Sequence, residues 1–251
     1  MTSKKNIYIK LGALLIITGA CFSCAKIKTP KAIEERENWY ASFSDSIKYY
    51  EDEKANIHAE LEALNTSMSE QMQSFEKVKK PREVCGYYIV KGWSGKTPLK
   101  STGIYARIDE NEKLELIATL SGSTFNRIGA GGNYSETVRH DQALNYRHDT
   151  YNTVYFTGGK ADTIAQYIAD HRNGDVKLEF MEGGSTKSRF TLPADEKDMI
   201  SRTWTLYSSQ LEIQRLQKEL ALCSRKIDTF VRLKDSHDQT KETDTTTNKS
   251  N

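Results

Sequence analysis

The 251-residue chain predicts an α+β protein: a long antiparallel coiled-coil hairpin with a small β-rich domain inserted between its two helices. Three observations predict it. A seven-residue apolar repeat runs over residues 33–78, a second returns over 199–230, and the stretch between alternates apolar and polar residues in short runs. Sustained heptads mark helices that pack along a seam, and period-two alternation marks strands with one buried face. Apolar residues make up 37% of the chain and charged residues 28%, which suits an elongated molecule with a modest core.

Residues 1–23 come first. Lys4, Lys5 and Lys10 precede an apolar run from Leu11 to Phe22, about 12 residues long, against the roughly 20 that a membrane-spanning helix needs. A charged start, a short apolar core and small residues before a cut site describe a secretory signal. With its two cysteines, "LLIITGACFSCAK" resembles a bacterial lipoprotein signal, in which the cysteine after the cut is acylated and becomes the first residue. Two registers are open, since Thr18-Gly19-Ala20 precedes Cys21 and Cys21-Phe22-Ser23 precedes Cys24. Neither has the Leu three positions ahead that the family prefers. Ser before Cys, followed by a short polar linker, favours Cys24 as the lipidated residue. The resemblance implies a membrane partner, reached through lipid. Ala25-Lys26-Ile27-Lys28 carries no acid, which by the same resemblance places the protein at the outer membrane, facing the periplasm.

Residues 24–32 read as a linker, and helix one follows over 33–80. Counting Ile33 as position a, the two seam series are Ile33, Tyr40, Ile47, Lys54, Leu61, Met68, Phe75 and Arg36, Phe43, Tyr50, Ile57, Leu64, Gln71, Val78. Eleven of these fourteen positions are apolar or aromatic, enough to predict a coiled-coil helix. Thr29-Pro30 supplies a cap and first helical position, and Pro81 closes the segment.

The β-rich domain is expected over 84–192. Ile104/Ala106/Ile108 alternates with Tyr105/Arg107, a turn at 109–112 leads into Leu114/Leu116/Ala118/Leu120, and Val154/Phe156 ends at Gly158-Gly159. A helix over 161–171 buries Ile164, Ala165 and Ile168, after which Val176/Leu178/Phe180 and Phe190-Thr191-Leu192 flank a hairpin through Gly183-Gly184.

Helix two, 195–234, repeats the heptad with Met199, Leu206, Ile213, Leu220, Ile227 and Arg202, Ser209, Leu216, Cys223, Phe230. A second stripe, Ile200, Trp204, Tyr207 and Leu211, is expected to pack on the β domain, with a second copy of the chain as the other occupant. The tail 235–251 has almost no apolar residue and reads as disordered. In such a hairpin Cys85 and Cys223 lie roughly 40 Å apart along the helices. A disulfide needs Cα atoms within about 7 Å, so both thiols are expected to be free.

The motifs exclude more than they assign. The formal charge is +2, and removing residues 1–23 takes away three lysines and no acid, which leaves the mature chain near −1. That excludes nucleic acid as a partner on electrostatic grounds. Gly95-Lys96-Thr97 lacks the earlier glycine of a phosphate loop, Val90 standing in its place. Gly129–Asn133 has no following Lys and reads as a turn. His58 falls on a solvated helix position, and Tyr87, Tyr88, Trp93 and Tyr105 read as strand packing. The repeat Arg139-His140-Asp141 and Arg147-His148-Asp149 supports three accounts. A three-residue hairpin loop at 143–145 would face Arg139 with Asp149 and Asp141 with Arg147, an irregular loop would pair neither, and a metal or acid/base site would use His140, Asp141, His148 and Asp149.

The function expected is a lipid-anchored, non-enzymatic scaffold or binding module of the cell envelope, with no cofactor and no metal. Its partners are the membrane, an envelope protein or cell-wall component, and a second copy of the chain. The alternative is a periplasmic hydrolase or metal-dependent enzyme built on the Arg-His-Asp repeat.

Overall fold

The structure, a computed structural model, describes residues 30–79, 85–136, 146–147 and 150–247. Among the described residues three α-helices and two sheets make a mixed α+β fold. Helix α1, Pro30–Met72, precedes the sheets. It ends earlier than the heptads predict, because the backbone turns at Gln73 and Ser74 and the Ser74 hydroxyl donates to the Gln71 carbonyl at 2.7 Å. Phe75 and Val78, counted as seam positions, belong instead to strand β1, Phe75–Val78.

The larger sheet joins β1 to β2 (Tyr87–Val90), β3 (Gly103–Asp109), β4 (Leu114–Ser121), β8 (Tyr151–Thr157) and β7 (Tyr146–Arg147), in that order. The smaller runs β10 (Ser185–Thr191), β9 (Lys177–Glu182), β5 (Arg127–Ala130), β6 (Asn133–Glu136). All pairs are antiparallel, consistent with the short turns between neighbours. The β3–β4 turn is held by the Asp109 carboxylate, which accepts the backbone N–H of Asn111 at 2.9 Å and of Lys113 at 2.8 Å. Alternate residues of β4 and β8, Leu116 and Phe156 among them, point to the core shared with the second sheet. There Phe125 stacks on Phe156 at 6.2 Å and meets Phe180 edge-on at 4.9 Å. Helix α2, Gly159–Asp170, buries Ile164, Ala165 and Ile168, the face its spacing predicts.

Gly131 shows how tightly this helix sits on the second sheet. It turns β5 into β6 at φ +56°, and a Cβ there would fall inside the Tyr167 ring of α2. Gly131→Ala is therefore expected to cost about 1–2 kcal/mol from the left-handed backbone alone, read as a lowered urea midpoint. An unchanged midpoint would show that the turn relaxes out of the left-handed region and that Tyr167 swings clear.

Helix α3, Ala194–Thr247, completes the core. Strand β2 pairs with β3 only at Asp109 and Ile108, so the rest of that β3 edge needs another partner. α3 supplies it: Glu196 Oε2 accepts the Ile104 N–H at 3.1 Å, and Met199 Sδ accepts that of Ala106 at 3.3 Å. Met199, Ile200, Leu206 and Tyr207 are buried in the sheet core, while Arg202 is exposed. Of the expected second stripe, Trp204 packs against the core and Leu211 is exposed.

This overturns the long coiled-coil hairpin. The apolar positions 199, 200, 206 and 207 form a broad stripe that faces a sheet, and a heptad count cannot separate such a stripe from a two-helix seam. The helices do meet over a shorter stretch, where Ile57, Leu61, Ile213, Leu216 and Cys223 cluster with Tyr50 partly buried against them. Cys85 and Cys223 form no disulfide, and burial pushes the Cys223 thiol up from its ordinary value. α3 also stays helical through Thr247, across residues expected to be disordered. Residues 49–229 form one compact unit; the described part of the other comprises 30–48 and 230–247, where Phe43 lies 5.8 Å from Phe230. Among the described residues no helix is long and apolar enough to cross a membrane.

Candidate functional site

Cys21 and Cys24 lie outside the described residues, as do His140, Asp141, His148 and Asp149. Of the Arg-His-Asp repeat only the backbone of Arg147 is described; it pairs with Asn152 of β8. The expected facing of Arg139 with Asp149 and of Asp141 with Arg147 therefore also lies outside. Among the described residues no three His, Cys, Asp or Glu side chains gather as a metal site. Lys96, from the failed phosphate-loop motif, sits over the Trp93 ring at 4.6 Å and 3.5 Å from Asp195. Tyr87, Trp93 and Tyr105 are buried in the core, and His58 is exposed.

Two charged features were not singled out in the sequence. The first is an ion pair on the larger sheet. Arg107 and Glu115 are cross-strand partners, Nε to Oε2 at 2.5 Å, and both are buried. The guanidinium lies 4.1 Å from the Tyr87 ring centre and 5.4 Å from that of Tyr155. Such stacking suits a planar, weakly hydrated cation. The turn at 109–112 held the signal for this pair, since it sets 107 opposite 115.

The second is a groove of about 290 Å³ where the end of α1, the segment after α2 and the first half of α3 converge. Gln71 comes from the last turn of α1, Ser74 from the turn beyond it, and Phe75 from β1. Arg172 follows α2, whereas Ser201, Arg202 and Thr205 sit one turn apart on α3. Asp198 bridges the two arginines: Arg172 Nη2 donates to Oδ1, and Arg202 Nε donates to Oδ2 at 3.0 Å. One carboxylate against two guanidiniums leaves a positive charge at the groove. Lys197 donates to the Gly174 carbonyl, which ties α3 to the same corner.

The hydroxyls there have already spent their protons. Ser74 donates to the Gln71 carbonyl at 2.7 Å, Ser201 to the Lys197 carbonyl at 2.6 Å and Thr205 to the Ser201 carbonyl at 2.9 Å. What remains on these oxygens is lone pairs. Gln71 donates through Nε2 to Ser67 at 3.2 Å, while its buried Oε1 has no partner. The groove is thus a cationic fork beside a row of acceptors. No sequence signal joins residues 71, 172 and 202, which only the packing of three helices brings together.

The fold and this groove define a mixed α+β protein with a small polar groove among its described residues. No family model matches the chain, and neither a curated protein nor a solved structure is similar to it.

Proposed function

We propose that this is a lipid-anchored cell-envelope protein acting as a non-enzymatic binding module, attached through acylated Cys24 at the outer membrane and facing the periplasm. The observation that carries the proposal is the N-terminal pattern: Lys4, Lys5 and Lys10, a 12-residue apolar run, then small residues and cysteine. A diacyl anchor holds a protein stably, where a single chain binds only marginally. The polar groove, with two arginines and a row of hydroxyl oxygens, suits a bound ligand that carries negative charge. Partners on this reading are an envelope protein or cell-wall component and a second copy of the chain.

Palmitate labelling combined with membrane fractionation tests it. The unaltered protein is expected to take up label and to sediment with outer membranes, and Cys24→Ser is expected to lose the label and the membrane association together. Label that persists in Cys24→Ser and vanishes in Cys21→Ser would move the anchor; label in neither the variants nor the parent would end the lipoprotein reading.

A further inference from the structure

We propose that the groove between α1, α2 and α3 binds the free carboxyl end of a peptide, its carboxylate on Arg202 and its N–H groups on the neighbouring acceptors. The ligand assignment rests on the binding-module reading, and four observations carry it. Charge comes first. Arg172 and Arg202 share the single carboxylate of Asp198, and their side chains remain about half exposed, at 51% and 48%. Because Asp198 takes the Nε of Arg202, the Nη pair at the fork's end is the part left to grip a planar anion in two-point fashion.

The acceptors are the second observation. Ser74, Ser201 and Thr205 all commit their protons to backbone carbonyls, which leaves their oxygens as acceptors. A ligand that matches must bring N–H or O–H groups as well as negative charge. Phosphate or sulfate, acceptors nearly throughout at neutral pH, satisfies the arginines and meets the other wall with like lone pairs. A peptide terminus offers both, a carboxylate and amide N–H groups within one or two residues. Third, Gln71 lines the same wall, its Nε2 donating to Ser67 at 3.2 Å, so its side-chain amide reports on a ligand seated there. Fourth, about 290 Å³ lies just below the roughly 300–1,000 Å³ typical of small-ligand sites, room for about two small residues. Phe75, itself buried, adds an apolar side chain to the lining.

Titration of the purified full-length protein in detergent tests this with three probes: N-acetyl-dialanine, its carboxamide and inorganic phosphate. The acetylated dipeptide is expected to bind with a Kd of roughly 1 mM or below, and the carboxamide and phosphate about tenfold more weakly. Arg202→Met, an exposed position, is expected to lose that preference for the carboxylate with the melting temperature unchanged. In the unaltered protein the Gln71 side-chain amide resonance is expected to shift as the dipeptide is added. Phosphate binding as tightly as the dipeptide, equal affinity for the carboxamide, or a silent Gln71 resonance would each overturn the assignment. A protein that is acylated at Cys24 yet ignores the dipeptide sinks the ligand and leaves the anchor standing, so the two proposals fail separately.

Discussion

Glu115→Ala is expected to lower folding stability by about 3–5 kcal/mol, because it removes the carboxylate that faces a buried guanidinium. Arg107 and Glu115 lie on adjacent strands with side chains only 8% and 10% exposed, and Arg107 is closed in by Tyr87 and Tyr155. In that setting the attraction within the pair offsets a desolvation cost that neither group can meet alone. The cost of the pair as a whole is much smaller, since apolar residues of similar volume often replace a buried ion pair with little loss. The double variant Arg107→Met/Glu115→Leu is therefore expected to be more stable than Glu115→Ala, and urea midpoints of the two variants and the parent measure it. Additive losses would show that Arg107 is held mainly by its aromatic neighbours.

Glu196→Gln is expected to stabilise the protein at pH 8 by about 2–3 kcal/mol. The Glu196 carboxyl is buried at the start of α3, and burial pushes it up to about 7, with the nearby charge of Asp195 adding to the effect and the Ile104 N–H opposing it. The fold crowds it further: a Cβ on Gly103 would lie 2.6 Å from its Oε1. A carboxyl raised in the folded state favours folding while it is protonated. Its contribution is complete below the ordinary value of 4.5, falls away as pH rises to about 7, and is gone above that. Glutamine keeps an oxygen for the Ile104 N–H and carries no charge, so it removes this slope. Melting curves of parent and variant should converge near pH 4.5 and separate by about 4–10 °C at pH 8. A variant less stable than the parent at pH 8 would mean that a cation holds Glu196 charged.

Local pattern made several elements legible. The alternation Ile104/Ala106/Ile108, answered by Leu114/Leu116/Ala118, places β3 and β4 where they stand, and Ile164, Ala165 and Ile168 place α2. Each depends on neighbours two to four residues away, the range over which period and turn chemistry act. The heptads misled for a related reason. Period states that a helix has one apolar face, and is silent on what covers it. Met199 and Leu206 fit a seam and lie instead in the sheet core. Phe75 and Val78 continue the count in sequence, yet the backbone leaves the helix at Met72.

By itself, then, the sequence determined the α+β composition, the positions of β3, β4, β8, β9 and β10, and the three helices, because these are short-range properties of the chain. Tertiary structure alone decided that α3 would cover the open β3 edge, that Arg107 would be closed in beside Glu115, and that Gln71, Arg172 and Arg202 would share a groove. The last three residues are separated by about 100 and 30 positions. Only burial of apolar faces brings such positions together, and that is settled by the whole packed core.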